Sequence, residues 1–458
     1  MPKKKTALTI EERLQQALVP AEEQPYEVPE NWVWVYGKNI FMPMESRKPD
    51  GEDFYYIDID AIDNKNQVVT EAKKIKTAQA PSRASRKLHT GDTVFSLVRP
   101  YLKNIAYIDV QLSDCIASTG FFVCTPNAAL NDKYLYRLMV SSYVVDGLNK
   151  HMKGDNSPSI RKDDIENYPF PLPPLSEQQR IVERIEELFA KLDEAKERLQ
   201  EVADSFAVRK AAFLHKAFTG ELTKQWRREN GVSDESWEES NLGSFIACGP
   251  QNGLYKPKSS YGDGIRIIRI DAFYDGVIEQ WDELKRLRLD ENEIECYSLN
   301  LNDILINRVN SMQYLGKSAL VRELKDICVF ESNIMRLSVD ESRIYPEFLS
   351  SFLNSQMGLN ELRKNAKQAV NQASINQQDI KNVIINLPTL PEQHEIVRLI
   401  DDLLARERKA QQATEQALAS IDLMKKSILA RAFRGELGMN KASEASALEL
   451  LRQVLAEN

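Results

Sequence analysis

The sequence lacks several features that define common classes of protein. Its 458 residues include only five cysteines, which are scattered and form no C-x-x-C pair, so neither a disulfide framework nor a cysteine metal site is expected. No apolar run approaches the roughly 18 residues of a membrane span, and the basic start "MPKKK" is not followed by an apolar signal region. These absences predict a cytoplasmic chain that does not contact membranes.

Patterns that would indicate catalysis are also missing. The four histidines show no spacing typical of metal ligands or of a catalytic triad. The string "NYPF" at Asn167–Phe170 resembles a methyltransferase loop but has no glycine-rich cofactor loop before it, and "GKS" at Gly316–Ser318 has Ser311 where a phosphate loop needs glycine. Two E-x-K strings, at Glu71 and Glu194, half-match a nuclease motif. We therefore predict no catalytic residue, no metal and no cofactor in this chain.

The charge is acidic overall but unevenly distributed. A formal net charge of -8 argues weakly against a free-standing nucleic-acid binder, because such domains are usually basic. The segment Lys73–Lys103 is the exception, since it has eight Lys or Arg residues and one acid, Asp92, for a net charge of +7. It is either a solvated basic loop or a surface that contacts phosphates.

The feature that organises the sequence is an internal repeat with a constant offset of 215 residues. Ser159–Leu222 and Ser374–Leu437 share 24 identical residues in 64 positions without a gap, including "LSEQQRIVERI" against "LPEQHEIVRLI" and "AFTGEL" against "AFRGEL". The segments before them match only loosely, with Trp32 and Trp237 in step at an offset of 205. Insertions therefore accumulate in the divergent segments, as in loops, while the matched segments keep their length.

The matched segments have the signals of long helices. Ser176 with Gln179, and Thr389 with Glu392, fit a capping box, and Gly220 and Gly435 stand where a C-cap glycine belongs. About 40 residues would form a rod of about 60 Å. Apolar residues at heptad spacing form one stripe on each helix, which predicts that the two copies pack along each other, most simply antiparallel. The residues expected in this packing are Ile181, Ile185, Leu188, Leu192, Leu199, Ile396, Ile400, Leu403, Ile421 and Ile428.

The divergent segments combine short β-rich runs, such as "DTVFSLV" and "DILINRV", with helical spacing further on. The predicted fold is therefore α+β, with two such domains in tandem on two long helices and a pseudo-two-fold repeat. The expected organisation is an N-terminal extension (1–30) with a short helix "TIEERLQQALV", a first domain (31–158), a first helical region (159–234), a second domain (235–373), a second helical region (374–440) and a tail (441–458).

With two divergent domains alternating with two nearly identical helices, the chain resembles the DNA-specificity subunit of type I restriction-modification systems. The resemblance implies two target-recognition domains, each reading one half of a bipartite, asymmetric site in double-stranded DNA. It also implies that the helices set the spacing and dock two modification subunits, which carry S-adenosylmethionine and methylate adenine. Restriction subunits, in systems that have them, cut the DNA, and the specificity subunit itself catalyses nothing.

Candidate DNA contacts are the polar and basic residues that follow the "GD" and "ND" turns, those in the loop before each matched segment, and the basic run. Arg, Asn and Gln suit bidentate contacts to guanine and adenine. The candidates are Arg83, Arg86, Lys87, Ser96, Arg99, Lys103, Lys153, Asn307, Arg308, Asn310, Gln313, Lys317, Lys367 and Gln372.

Three questions stay open at the level of the sequence. The chain could be a coiled-coil assembly scaffold without DNA readout, which a gel-shift assay of the assembled complex would test. It could also be a stand-alone enzyme, against which the missing cofactor loop counts. The N-terminal extension and the tail are either solvated arms or contacts for a modification subunit.

Overall fold

The computed structural model describes residues 9–273, 276–278, 281–370 and 372–457. The chain divides into two compact units. The first unit is Met1–Leu199 with Gln416–Asn458, and the second unit is Gln200–Glu415. Each unit therefore contains one divergent domain and a part of both matched segments.

The first divergent domain is rich in short strands. Helix α1 (Ile10–Ala17) confirms the short helix expected in the N-terminal extension, and Thr9 caps it through a capping box with Glu12. The strands that follow are β1 (Val33–Tyr36), β2 (Asp53–Ile57), β3 (Ile62–Asp63), β4 (Val68–Val69), β5 (Lys73–Lys76), β6 (Ala84–Lys87), β7 (Thr93–Ser96), β8 (Ile105–Tyr107), β9 (Ile116–Ser118) and β10 (Phe121–Cys124).

Helices close this domain and lead into the first matched segment. They are α2 (Asp132–Met139), α3 (Ser142–Asn149) and α4 (Lys162–Glu166), followed by strand β11 (Pro169–Leu172) and the long helix α5 (Leu175–Phe218). The strands form a three-stranded sheet in the order β10-β7-β8 and a four-stranded sheet in the order β5-β2-β9-β6. The largest core of the first unit packs α2 and α3 against residues of both long helices, including Ile181, Ile185 and Leu429.

The second divergent domain repeats this plan with different strand lengths. Its elements are α6 (Lys224–Asn230), β12 (Glu238–Asn241), β13 (Ile246–Asn252), β14 (Tyr261–Ile268), β15 (Arg286–Leu287), α7 (Glu291–Tyr297), β16 (Ile304–Asn307), β17 (Val309–Asn310), β18 (Ser318–Leu320), β19 (Cys328–Phe330), β20 (Ile334–Val339), α8 (Pro346–Leu353), α9 (Gln356–Arg363), β21 (Lys367–Gln368), β22 (Ala373–Ser374), α10 (Gln377–Lys381) and β23 (Ile384–Leu387). The long helix α11 (Leu390–Ala432) and the terminal helix α12 (Ala447–Glu457) follow.

The sheets of the second unit are ordered β13-β20-β16-β18, β15-β14-β19 and β17-β22-β21. Its largest core joins strands β16, β18 and β20 to α8 and to residues of both long helices, including Phe218, Ile396 and Ile400. The same short antiparallel pair precedes the long helix in both units. Val33 pairs with Leu172 at one end of β1-β11, and Glu238 pairs with Leu387 at the same end of β12-β23.

Within each unit the two long helices run antiparallel, as predicted. In the first unit Lys425 pairs with Asp193 at 2.5 Å and Asp422 pairs with Lys196 at 3.6 Å, so the numbering rises on one helix as it falls on the other. In the second unit Arg209 pairs with Glu407 at 2.9 Å, and Phe218 shares a core with residues near the start of α11. Helix α5 has 44 residues and α11 has 43, so the repeat preserves length to within one residue.

The apolar stripe is less uniform than heptad spacing suggests. Of the ten residues expected in the packing, five are buried (Ile181, Ile185, Ile396, Ile400 and Ile421) and five are half-buried (Leu188, Leu192, Leu199, Leu403 and Ile428). Two further positions of the spacing, Ala195 and Val202, are exposed, Val202 to 42%. Four of the five buried residues, Ile181, Ile185, Ile396 and Ile400, belong to the cores that the divergent domains share with the helices. Ile421 is buried outside these cores.

The predicted helix ends are right and the predicted caps are partly wrong. Gly220 and Gly435 follow the helices with left-handed φ of 78° and 75°, as C-cap glycines do. Ser176 lies inside α5, which begins at Leu175, so it cannot be the N-cap. Thr389 does precede α11, which begins at Leu390, but the Glu392 carboxylate accepts from Thr223, Arg227 and Trp237 instead of closing a box with it. Gln179 donates instead to Glu183, and Glu392 is directed into the second unit.

Candidate nucleic-acid interface

In each unit the strand that follows the predicted turn ends in a buried polar residue. Ser96, the last residue of β7, donates its hydroxyl to the carbonyl of Val98 at 2.8 Å. Asn307 ends β16, is fully buried, and within the described ranges neither its Oδ1 nor its Nδ2 has a partner. The structure thus places these two candidates beneath the surface, and the exposed residues of the loops come after them.

In the first unit the loop after β7 pairs with the loop before the matched segment. The N–H of Arg99 donates to Pro158 O at 2.8 Å, and the N–H of Ile160 donates to Leu97 O at 2.9 Å. Lys153 and Ser159 exchange both backbone hydrogen bonds at 3.0 Å, which closes a small hairpin. Residues 97–104 and 153–159, which we call the first loop pair, therefore form one surface.

The second unit contains the same arrangement. Val309 pairs with Ser374 and Asn310 with Ala373, so β17 lies beside β22. Lys367 pairs with Ser374 on the other side, which makes β21 and β22 a hairpin. We call residues 308–317, 367–370 and 372–374 the second loop pair. The two sets of candidates that the sequence indicated separately are thus brought together in both units.

A cleft of about 940 Å³ opens beside the first loop pair. Arg83 and Arg99, both in the basic segment Lys73–Lys103, line it. Asp58, Asp60 and Asn64 also line the cleft, which gives it acceptors as well as donors. The Arg99 guanidinium donates to Asn156 O at 2.8 Å, and this bond connects the two loops of the pair.

The other basic candidates of the first unit differ in their exposure and in their partners. Lys87 forms an ion pair with Glu45 at 2.6 Å, and Arg86 on the same strand is half-buried, with a buried Nε that has no partner in the described part of the chain. Lys103 is half-buried, and burial, with Lys426 nearby, lowers its pKa although Asp146 opposes the shift. Lys153 is exposed on the hairpin of the first loop pair.

In the second loop pair an arginine outside the predicted set fixes the loop. Arg363 of α9 donates to Leu315 O at 2.9 Å and to Gln313 O at 3.2 Å, and burial lowers its pKa. Sequence reasoning missed it, because nothing nearby in the sequence marks a helix-end arginine as a partner of a loop almost 50 residues earlier. Arg308 donates to Ser332 O at 3.1 Å. The remaining candidates of this pair are half-buried (Asn310 and Lys317) or exposed (Gln313, Lys367 and Gln372).

A second group of residues, which the sequence did not reveal, fixes each divergent domain to its long helix. In the first unit the Trp32 indole N–H donates to Glu177 Oε2 at 2.9 Å, and Asn440 Nδ2 donates to the same oxygen at 3.0 Å. Gln178 accepts from the N–H of Asn131 at 2.7 Å and donates to Ala129 O at 2.9 Å. We call Trp32, Glu177 and Gln178 the first junction.

The second junction consists of Trp237, Glu392 and Gln393. The Trp237 indole donates to Glu392 Oε1 at 3.1 Å, and Gln393 accepts from the N–H of Tyr345 at 2.8 Å. Two features of the sequence could have revealed these junctions: the Glu-Gln pair that both matched segments contain, and the tryptophan that each divergent segment has at the corresponding position. They mark buried polar contacts, which need partners because an unpaired buried polar group is costly.

The described ranges contain neither a group of three or more His, Cys, Asp or Glu side chains arranged to hold a metal ion nor a helix long and apolar enough to cross a membrane.

Both units therefore present a polar loop pair on a divergent domain, which a buried junction attaches to the long helices. Residues 38–204 and 234–417 each match the family model described as the type I restriction modification DNA specificity domain. The chain therefore belongs to the family of type I restriction-modification DNA specificity subunits, with two specificity domains in tandem.

Individual relatives agree with this assignment. The chain is 31% identical over 343 residues to the type I restriction enzyme StySPI specificity subunit of Salmonella potsdam, covering 72% of this chain and 73% of the relative. It is 28% identical to the EcoKI specificity subunit of Escherichia coli K12 over 348 residues, 73% of this chain and 74% of the relative. Among solved structures, the HsdS subunit from Thermoanaerobacter tengcongensis matches with a TM-score of 0.65 and 27% identity, over 91% of this chain and all of the other. A chain from a structural study of type I restriction-modification complex assembly matches with a TM-score of 0.72 and 27% identity, over 90% of this chain and all of the other.

Proposed function

We propose that each loop pair reads one half of a bipartite, asymmetric site in double-stranded DNA. The observation that supports this most directly is that both units join the same two loops, while the residues on those loops differ. The first pair presents Arg99, Lys153 and Asn156, and the second presents Asn310, Lys367 and Gln372. Two readers with different donors and acceptors select different base pairs, because each base pair shows its own pattern in the major groove.

The acidic net charge is compatible with this role if other subunits supply much of the phosphate neutralisation. We propose that two modification subunits dock on the long helices, carry S-adenosylmethionine and methylate adenine, and that this chain contributes no catalytic residue. Restriction subunits join the complex in systems that have them. The study of complex assembly in which one structural relative was solved supports a role among several subunits.

The helices would then set the separation of the two half-sites. Their equal lengths, 44 and 43 residues, correspond to about 65 Å each at ~1.5 Å per residue. Inserting seven residues into Glu197–Ser205 keeps the heptad in phase and lengthens that helix by about 10 Å. The preferred spacer should grow by at most about three base pairs. Methylation at an unchanged spacer would show that the helices do not set this distance.

The test of half-site reading uses the complex of the full chain with its modification subunits. Sites are mapped by methylation-sensitive sequencing of DNA for the wild type, Arg99→Ala with Lys153→Ala, and Asn310→Ala with Gln372→Ala. The first double variant should relax one half of the recognised sequence and the second the other half. Arg228→Ala, an exposed arginine on α6, is the control and should leave the site unchanged.

Three results would contradict the proposal. If either double variant relaxes both halves together, the two readers are not independent. If this chain methylates DNA without its partners, it is not the non-catalytic subunit. If the assembled complex shows no preference among duplexes, the chain is a coiled-coil scaffold without DNA readout.

A further inference from the structure

The hairpin of the second loop pair exposes an aliphatic side chain at its tip. Strands β21 and β22 are only two residues each, and the N–H of Ala369 donates to Gln372 O at 2.7 Å to close the turn between them. Val370 lies in this turn and is 99% exposed, the highest value among the large hydrophobic side chains that the structure describes. Single exposed apolar residues are common on protein surfaces, so exposure alone decides nothing.

The surroundings of Val370 make it informative. Gln368 and Gln372 flank it and are exposed, and in the described part of the chain no hydrogen bond engages either amide side chain. Lys367 adds a positive charge at the base of the hairpin. The tip therefore combines one branched apolar group with two free amides and a cation, on a two-stranded ribbon.

The hairpin of the first loop pair has the same position in its unit but a different tip. Its residues 154–158 are Gly, Asp, Asn, Ser and Pro, without a branched aliphatic side chain. The backbone arrangement is thus shared and the chemistry of the tip is not. This is the pattern expected of residues that select bases, whereas residues that only contact the DNA backbone need no such difference.

We propose that the hairpin of the second loop pair enters the major groove and that Val370 contacts the 5-methyl group of a thymine in its half-site. This inference rests on the function proposed above. A two-stranded ribbon fits the major groove, and the thymine methyl group is exposed only there. Apolar side chains recognise that methyl group, and glutamine pairs with N6 and N7 of adenine, so Val370 with Gln368 or Gln372 suits an A·T pair.

The experiment measures binding of the assembled complex to duplexes that contain the mapped site. Each thymine of the second unit's half-site is replaced in turn by uracil, which lacks only the methyl group. One replacement should weaken binding by the wild type about fourfold, equivalent to ~0.8 kcal/mol for one methyl-sized contact. Val370→Ala should weaken binding to the thymine duplex and should be insensitive to that same replacement. Because Val370 is fully exposed, this variant should fold normally.

Two variants serve as controls. Val110→Ala alters another exposed valine, in the first unit and outside the loop pairs, and should keep the full sensitivity to uracil. Val370→Thr retains one methyl group and should retain part of the sensitivity. If Val370→Ala weakens binding to thymine and uracil duplexes equally, or if the half-site contains only G·C pairs, the thymine contact is wrong. If the wild-type complex binds no site specifically, the function proposed above fails with it.

Discussion

The two junctions place the same glutamate in two different electrostatic environments. Glu392 is buried in the second unit against Arg227 of α6 at 2.6 Å, and the Thr223 hydroxyl donates to the same oxygen at 2.6 Å. Glu177 occupies the matching position in the first unit, where its two hydrogen-bond donors, Trp32 and Asn440, are neutral. The repeat therefore keeps the glutamate at both junctions, but only the second junction has an arginine hydrogen-bonded to it.

The cause lies in how the chain reaches each junction. In the second unit α5 continues through α6 into β12, so Arg227 is on the covalent connection between the helix and the recognition domain. In the first unit the end of α11 meets β1 without a covalent connection. There Tyr26 donates to Phe433 O at 3.1 Å, and the N–H of Ala447 donates to Asn31 O at 2.9 Å. The terminal segments thus take the place of α6, and they bring an amide where α6 brings a guanidinium.

The largest expected effect comes from removing the charge that distinguishes the second junction. Arg227→Met leaves Glu392 buried with only Trp237 and Thr223 as donors, which makes the second junction resemble the first. Loss of one partner of a buried ion pair costs about 3–5 kcal/mol, because the other charge stays buried. We expect this loss in the free energy of unfolding of the second unit, measured by denaturant titration with hydrogen exchange as the local probe.

The neighbouring Arg228 provides the matched control, since it is on the same helix but exposed. Arg228→Met should change the stability by no more than about 0.5 kcal/mol. Equal effects of the two substitutions would mean that α6 itself, and not the ion pair with Glu392, stabilises the second unit.

The next effect tests the non-covalent closure of the first unit. Leu451 of α12 is fully buried in the core that also contains Leu14 and Ala17 of α1. Leu451→Ala should cost about 3 kcal/mol through lost contacts and the cavity left behind. Faster hydrogen exchange should appear in α1 and around β1 but not in the second unit. Gln453→Ala, an exposed change on the same helix, is the control, and equal loosening of both units would contradict the assignment.

The two tryptophans give a smaller, paired comparison. Trp32→Phe removes a hydrogen bond to a carboxylate that has only one other donor, and such bonds contribute about 1.5–3 kcal/mol. Trp237→Phe removes one of three donors to Glu392, so its cost should be nearer ~1 kcal/mol. The comparison is made on the free energy of unfolding of the affected unit. A larger loss for Trp237→Phe would mean that ring packing outweighs the hydrogen bond.

Much of the architecture could be predicted from the sequence because the repeat encodes it locally. The heptad stripe, the glycines after each helix and the strand-like runs depend on residues close together in the chain. The role of Glu392 was misread for the same reason. Local spacing suggested a capping box with Thr389, whereas Glu392 accepts from Trp237, 155 residues away.

The candidate site shows the same division between local and long-range information. The residue types after each turn indicated polar loops, but β7 and β16 are buried along their whole length, Ser96 and Asn307 included, and that burial depends on the elements packed around them. Both loops of each pair were identified separately. Their pairing could not be, because backbone hydrogen bonds such as the one from Arg99 to Pro158 leave no mark on the side chains.

The smallest effect concerns the pH dependence of the first junction. Burial raises the pKa of Glu177 above its usual value of 4.5, although hydrogen bonds from Trp32 and Asn440 act in the opposite direction. The folded state therefore holds this proton more tightly than the unfolded state. The resulting stabilisation is complete below about pH 4.5 and is lost as the pH rises through the raised pKa.

Glu177→Gln cannot ionise, so the first unit of this variant should lose less stability than the wild type as the pH rises from 4.5 to 8. At pH 8 we expect the variant to be as stable as the wild type or more stable. The gain in its free energy of unfolding should be at most about 1 kcal/mol. Glu392→Gln is the matched control and should destabilise the second unit, because it deprives the buried Arg227 of its partner. The measurement is the free energy of unfolding at each pH, compared as a difference between variant and wild type so that other titrating groups cancel. Parallel pH curves for Glu177→Gln and wild type would show that Glu177 does not titrate differently on folding, and the contrast between the two junctions would then lie only in their geometry.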